Sequence, residues 1–236
     1  TGGSLTLNLD RNALIAGVIL DNTPAPSIYA EEFFDASAAS KTQSEILNDN
    51  TPSDLTDYTA NEISAIGLQF KVNGGIIPPN PTQRQNRPTT FTFDPTNLFG
   101  TATGSIGLGG VLRFRVDVQP PTNRTLLGDM TLEYDPTKEG ATLGRSGWVL
   151  TNHIGFDIGA FDLFDVSTNL TGDSLTLNGI LGMGHGFDHL GGITDTRVGT
   201  FSFQTAVVPL PAAAWLFISG ISGLFMSGRS KRKMMQ

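Results

Sequence analysis

The sequence predicts an all-β body of the β-sandwich or jelly-roll type, with a minor helical segment and a C-terminal hydrophobic helix. Three observations predict this fold. Apolar and polar residues alternate in many short runs, Gly and Pro residues separate these runs, and an uncharged apolar stretch lies near the end of the chain. A period of two is the pattern of a half-buried strand, and many short strands divided by turns are typical of sandwiches and jelly rolls.

Predicted strands follow one another along residues 1–206, which we interpret as one β-rich body. The clearest alternating runs lie at residues 4–10, 62–72, 90–94, 110–118, 129–134, 148–150, 154–158, 163–166, 175–177 and 201–203. Residues 13–20 are more continuously apolar, and they are predicted as a further strand or as a segment buried on both faces. Trp148 is predicted to be a core residue of its strand.

The minor helical segment is predicted at residues 28–48. Apolar pairs at residues 33–34 and 46–47 bracket an Ala-rich sequence. Two acidic residues, Glu31 and Glu32, lie near its start, where the N-terminus of a helix favours negative charge. We therefore expect one short helical element among the strands of the body.

Charge divides the chain into two parts. The 236 residues carry 15 Lys and Arg against 22 Asp and Glu, a formal net charge of −7. Four of the basic residues and none of the acidic ones lie in residues 207–236, so residues 1–206 carry −11. This acidic body has no basic stripe to neutralise phosphates, which argues against a nucleic-acid partner. The lack of Cys excludes disulfides and thiolate-bound metals.

The tail at residues 207–236 predicts a hydrophobic transmembrane helix followed by cations. No charged residue lies between Thr205 and Gly228. A helix over residues 212–228 would be ~25 Å long at ~1.5 Å per residue, slightly short of the ~30 Å hydrocarbon core of a membrane. Four basic residues follow directly: Arg229, Lys231, Arg232 and Lys233. Such cations stay on the cytoplasmic side, so we expect the body to lie across the membrane.

The same tail resembles the PEP-CTERM sorting signal of Gram-negative bacteria. The resemblance rests on Pro209-Leu210-Pro211, the apolar stretch and the basic cluster, with Leu210 where the family usually has Glu. It implies processing by an exosortase, a membrane cysteine protease-transpeptidase, after a transient stay in the inner membrane. It also implies export to the cell surface, usually in bacteria that make exopolysaccharide. A chain that starts at Thr1 fits the removal of an N-terminal signal peptide.

Three histidines are the weak candidates for a metal site. His185 and His189 are four residues apart, and Asp188 lies between them in a Gly-rich stretch. With His153 added, three imidazole nitrogens would suit Zn²⁺ or Cu²⁺. The alternative is an ordinary polar loop, and no cofactor other than Ca²⁺ is considered beside this metal site.

Aspartates in the second half of the body are candidates for a surface Ca²⁺ site. Carboxylate oxygens are the ligands that Ca²⁺ prefers, although the spacing here is not that of a known calcium loop. The alternative is that they are turn residues, since Asp caps its own backbone. The candidates are Asp157, Asp162, Asp165, Asp173, Asp188 and Asp195.

Catalytic motifs are weak, so the leading hypothesis is a non-enzymatic protein of the cell surface or extracellular matrix. There is neither a Gly-x-Ser-x-Gly elbow nor a Cys nucleophile. The protein would act structurally, by self-assembly or by association with exopolysaccharide. Two alternatives stay open: a lectin-like carbohydrate-binding module, with or without Ca²⁺, and a polysaccharide hydrolase with two facing carboxylates.

Overall fold

The computed structural model describes residues 2–18, 28–49, 62–75, 83–116, 124–172 and 174–206. The chain divides into two units, residues 1–206 and residues 207–236. Within the described ranges, no helix is long and apolar enough to cross a membrane. The predicted hydrophobic helix at residues 212–228 lies outside the described residues.

Eight antiparallel strands close into a barrel. They are β1 (Gly2–Leu9), β3 (Ile66–Val72), β4 (Ser105–Gly109), β7 (Thr131–Tyr134), β8 (Arg145–Asn152), β9 (Ile158–Thr171), β10 (Ser174–Met183) and β11 (Arg197–Ala206). The order around the barrel is β1-β11-β10-β9-β8-β7-β4-β3. The ring closes because β1 pairs with β11 on one side and with β3 on the other. The all-β class is confirmed, but the predicted sandwich is wrong: alternating burial looks the same in a sandwich and in a barrel.

The barrel interior is filled by the apolar residues that alternate along its strands. Leu5, Leu7, Phe70 and Phe203 are fully buried and belong to one continuous core. Trp148 on β8 is also buried in this core, which confirms its predicted place. Packed apolar side chains therefore occupy the inside of the barrel.

A second sheet of three strands packs its inner face against the barrel core. Its strands are β2 (Ile28–Phe34), β5 (Val111–Val116) and β6 (Arg124–Gly128), in the order β2-β5-β6. Apolar side chains of β2 and β5 join the core of the barrel, and the ring of Phe114 lies 5.7 Å from that of Phe187. The core is thus shared between the two sheets.

The two sheets are joined at a corner, where two neighbouring connections, from β4 to β5 and from β6 to β7, pass between the barrel and the three-stranded sheet. β4 passes into β5 through Gly110, whose φ of +142° favours glycine. β6 passes into β7 through Asp129, whose backbone N–H donates to the Gly110 carbonyl at 2.8 Å. The buried Asp129 carboxylate accepts two hydrogen bonds of 2.7 Å from Arg84. This bidentate pair fixes the corner and places residues 83–88 against it.

The predicted helix at residues 28–48 is wrong over its first third, which forms β2. The rest contains a 3-10 helix (Ala36–Ala38) and α2 (Gln43–Asn48). Glu31 and Glu32 do not lie at a helix N-terminus, because arginines of the neighbouring strands pair with them. The start of α2 is instead set by Thr42, which forms a capping box with Glu45.

The strand alternative for residues 13–20 is also wrong over residues 13–16, and residues 19–20 lie outside the described part of the chain. The chain forms α1 (Arg11–Ala16) there, and Asp10 caps it by accepting from the Ala13 N–H at 3.0 Å. A side-chain cap of this kind stabilises the first turn of a helix. The other short helices are α3 (Leu98–Thr101) and the 3-10 helices Pro136–Lys138 and His185–Leu190. Residues 90–94 form only an isolated bridge, between Thr92 and Thr103.

The outer face of the three-stranded sheet carries a buried cluster of opposite charges. The pairing of β2 with β5 shifts between Ala30 and Glu32. This bulge lets Glu31 and Glu32 reach the same arginine-rich face. The Glu31 side chain is fully buried, and its Oε2 lies 2.7 Å from the Nε of Arg113 and 2.8 Å from the Nε of Arg124. Burying a carboxylate costs free energy of desolvation, which its ion pairs and hydrogen bonds must offset.

The same arginines bind the C-terminal end of α2. Arg113 donates to the Ile46 carbonyl, and Arg124 donates to the Leu47 carbonyl at 3.0 Å. The last carbonyls of a helix lack partners within it and carry partial negative charge. The cluster therefore joins three strands and one helix through charge-assisted hydrogen bonds.

Replacing Glu31 should destabilise the body strongly. Glu31→Gln leaves buried guanidinium groups without their carboxylate, and breaking such a buried pair costs about 3–5 kcal/mol. Glu32→Gln is the matched control: Glu32 pairs with the same buried Arg113, but its own side chain is 38% exposed and water can replace its contact, so its loss should cost clearly less than that of Glu31. The free energy of unfolding from urea titrations measures both effects. A loss below about 1 kcal/mol for Glu31→Gln would show that the cluster does not hold the sheet.

Candidate functional site

The outer surface of five adjacent barrel strands forms a polar face with almost no charge. We call it the neutral face and define it by two rows of residues that are aligned by strand pairing from β9 through β10, β11 and β1 to β3. The first row contains Asn169, Thr176, Gln204, Ser4 and Lys71, and the second contains Ser167, Asn178, Ser202, Thr6 and Gln69. Strands lie about 4.8 Å apart, so each row follows the curve of the barrel for about 20 Å and covers about half of the circumference of its eight strands.

A repeated pentapeptide builds the centre of this face. The sequence Ser-Leu-Thr-Leu-Asn occurs at residues 4–8 in β1 and again at residues 174–178 in β10. These two strands flank β11, and the copies differ in register by two residues, since Ser4 and Thr176 both lie opposite Gln204. A shift of two residues keeps both copies on the same face. The leucines point into the core, and the polar residues point outwards.

Most polar groups on the neutral face are available to a ligand. All ten side chains are exposed or partly exposed. Within the described part of the chain, Ser167 is the only member whose side chain makes a hydrogen bond to protein, donating to the Asn178 carbonyl at 3.3 Å. Hydroxyl and amide side chains can each donate and accept. The rows therefore present a regular array of unused donors and acceptors.

Neutrality sets this surface apart from the rest of the body. Lys71 is the one charged residue in the two rows, although residues 1–206 carry a net charge of −11. A polymer of neutral sugars offers hydroxyl groups that match both the donors and the acceptors of this face. An acidic polymer would instead be repelled by the field of the whole body. The arrangement can hold an uncharged, hydroxyl-rich ligand that follows the curve of the barrel or contacts part of each row.

The sequence contained the signal for this face, in the uncharged polar residues at every second position of four separate strands. We interpreted that alternation only as evidence for half-buried strands. Strand order was needed to show that these strands are neighbours, because β3, β9, β10 and β11 are far from β1 in the chain.

His153, a predicted metal ligand, lies buried at the end of β8 with both ring nitrogens occupied. Its Nδ1 lies 2.7 Å from Asp157, and its Nε2 lies 2.9 Å from the Thr131 hydroxyl. The side chain is 2% exposed. This environment is that of a core histidine whose hydrogen bonds are satisfied.

The other metal candidates lie elsewhere in the fold. His185 and Asp188 are on the 3-10 helix His185–Leu190, where they are exposed and 2.9 Å apart. The side chain of His189 lies outside the described part of the structure. Among the residues that the structure describes, no three His, Asp or Glu side chains converge on a point where a metal could bind.

Three of the calcium candidates pair with an arginine, and the partner of Asp157 is Arg87. Asp162 lies 2.5 Å from Arg145, and Asp195 lies 3.5 Å from the same side chain. Asp173 falls outside the described residues, as do the predicted sorting residues Pro209, Leu210, Pro211, Arg229, Lys231, Arg232 and Lys233.

The hydrogen bond between His153 and Asp157 should make the free energy of unfolding depend on pH in the acidic range. Burial opposes ionisation of Asp157, but hydrogen bonds from His153 and Arg87 outweigh it and lower the pKa of the carboxyl. A carboxyl with a lowered pKa stabilises the fold above its unfolded pKa of about 3.9, and this stabilisation is lost as the pH falls further. Asp157→Asn should therefore lower the urea midpoint at neutral pH and have little effect in strong acid.

Asp188→Asn is the matched control for this titration, because Asp188 pairs with an exposed histidine. It should leave the urea midpoint nearly unchanged throughout. If Asp157→Asn lowered the urea midpoint equally at neutral pH and in acid, the charge of the carboxylate would not be the source of the stabilisation.

Comparison with known proteins identifies no relative of this chain. No protein-family model, no curated protein and no solved structure matches the chain. Because a fold by itself does not define a function, the chemistry of the neutral face and the sequence of the tail are the basis for assigning one.

Proposed function

We propose that this protein is exported to the cell surface or extracellular matrix, where its barrel binds neutral exopolysaccharide in a structural, non-catalytic role. The neutral face is the observation that carries this proposal. It offers two rows of hydroxyl and amide groups on a rigid sheet, and most of these groups have no partner within the described protein. Weak contacts repeated along a polymer add up to useful avidity.

The tail supports delivery of the body to the outside. Its apolar stretch and following cations favour a membrane-inserted precursor with the body on the far side. The resemblance to a PEP-CTERM signal adds an exosortase as the processing partner. The boundary between the two units falls between residues 206 and 207, two residues before the Pro-Leu-Pro motif.

The environment of the buried carboxylates favours a structural role over a hydrolase. Glu31, Asp129 and Asp162 each face an arginine. All three are buried against their arginines, whereas a polysaccharide hydrolase needs two carboxylates that face each other across an accessible cleft. These carboxylates support the fold, and binding is assigned to the neutral face.

Few strand edges of the body are free to pair with a second copy of the chain. Each barrel strand has two neighbours, so a second copy could pair only with the lengths that run past a neighbour, such as residues 165–171 of β9 and 66–70 of β3. The edges of the three-stranded sheet, β2 and β6, are further free edges among the described strands. The proposal therefore places polysaccharide, and not a second copy of the chain, on the barrel.

The purified protein should bind a neutral polysaccharide such as dextran or cellulose more tightly than acidic alginate. Removing an amide and a hydroxyl from the centre of the face, with Asn178→Ala and Ser202→Ala, should weaken binding about tenfold. Each lost neutral hydrogen bond contributes about 0.5–1.5 kcal/mol, and about 1.4 kcal/mol corresponds to a factor of ten. Affinity electrophoresis in gels that contain soluble polysaccharide, and pull-down on cellulose, measure the change.

The matched control removes a hydroxyl and an amide elsewhere on the surface. Ser40→Ala with Gln43→Ala lies at the start of α2, outside the neutral face, and it should bind as the unaltered protein does. Equal binding by the two double variants would remove the neutral face from the proposal. Binding to alginate alone would contradict the assignment of a neutral ligand.

Mass spectrometry of the protein recovered from the cell surface tests its delivery. The processed form should end near Pro209–Pro211 and lack the basic cluster, since an exosortase removes the membrane segment. Replacing Arg229, Lys231, Arg232 and Lys233 with Gln removes the charge asymmetry that orients the helix, and it should reduce the amount that reaches the surface. A surface form that ends at Gln236 would contradict processing.

A further inference from the structure

A groove of about 1020 Å³ opens at one end of the neutral face. Asn8 and Thr200 line it, and both are outward residues of β1 and β11 that directly follow the two rows. The groove continues from the outer surface of the barrel towards α1 and the start of β2. A polymer lying along the neutral face would therefore meet the mouth of the groove.

The floor of the groove is apolar and held by backbone hydrogen bonds. Leu9, Leu14 and Ala30 line it, and each is less than 7% exposed. The Leu9 N–H donates to the Ala65 carbonyl at 2.8 Å, and the Ile63 N–H donates to the Ala30 carbonyl at 3.0 Å. These bonds tie β1, β2 and residues 62–65 together, so the floor is formed before a ligand arrives.

A bulge in β3 presents an apolar side chain at the mouth. The pairing of β1 with β3 shifts between Leu7 and Asn8, and Gly67 has a φ of +75°. The Asn8 side chain accepts from the Gly67 N–H at 2.8 Å and holds the bulge. Ile66 is consequently 68% exposed on the rim. Bulges are often found beside functional sites, where they redirect a side chain.

The charges around the groove are already engaged. Arg11 lies 2.5 Å from Glu62, Asp10 caps α1, and Arg197 lies over the ring of Phe164 at 4.6 Å. By contrast, the exposed side chains of Asn12 and Ser64 make no hydrogen bond to any residue that the structure describes. The groove thus combines an apolar floor with neutral polar groups, as small-molecule sites commonly do.

We infer that this groove binds the acyl substituent of a neutral sugar, such as an N-acetyl group, within the polymer that the neutral face holds. The inference rests on the proposed function, because continuity with the neutral face makes a saccharide the occupant. The methyl of the acyl group contacts Ile66 and the apolar floor. The carbonyl and N–H of the group bind the neutral polar side chains of the rim.

Chito-oligosaccharides and cello-oligosaccharides of equal length test this inference, since they differ only in an acetamido group in place of a hydroxyl on each sugar. The protein should bind the acetylated oligomer about tenfold more tightly in isothermal titration calorimetry. Ile66→Asn should abolish that preference by removing the apolar rim. Leu143→Asn is the matched control, because Leu143 is an exposed aliphatic residue outside the groove, and it should keep the preference.

The outcomes separate this inference from the proposed function. Equal binding of the two oligomers, with neutral polysaccharide still bound, would overturn the groove assignment and leave the neutral face in place. A preference that persists in Ile66→Asn would also overturn it, because the acyl group would then bind elsewhere. Failure to bind any neutral glycan would overturn the proposed function itself.

Discussion

The pairing of β1 on both of its sides is the constraint on which the rest of the structure depends. β1 joins β11, near the end of the body, to β3, which comes much earlier in the chain. That contact closes the barrel, removes two strand edges and gives the core its enclosed shape. It also makes the neutral face continuous, because β1 contributes the fourth of its five strands. Without this pairing the rows would end at β11, and the groove beside Asn8 would lose one wall.

Buried ion pairs hold the three-stranded sheet, which lies outside the closed barrel. The three-stranded sheet has one apolar face on the core and one face built from arginines and glutamates. Opposite charges in a low-dielectric setting require specific partners, so Glu31 and Asp129 define how β2, β5, α2 and the corner fit together. Such pairs are weak evidence for net stability. We expect their main effect to be that only one arrangement of the second sheet satisfies all of the buried charges.

Much of the fold followed from periodicity, and the parts that did not have physical reasons. Alternating leucines at residues 5–9 and 175–177 predict strands correctly, but alternation carries no information on which strands are neighbours. Residues 28–34 were predicted as helix because Glu31 and Glu32 resemble helix-start residues; their partners, Arg113 and Arg124, are distant in sequence and could not be anticipated. The neutral face could not be predicted either, because the sequence does not show which strands are neighbours. The tail remains a prediction from hydropathy, charge and its Pro-Leu-Pro motif.

Nuclear Overhauser effects from β1 test the central claim most directly. In a closed barrel, Thr6 lies opposite Ser202 on β11 and opposite Gln69 on β3. The account predicts cross-strand effects from Thr6 to both residues in one sample, with slow amide exchange along both edges of β1. Effects to only one of the two strands, with rapid exchange of the amides on the other edge, would show that the barrel is open and that the neutral face is not a single surface.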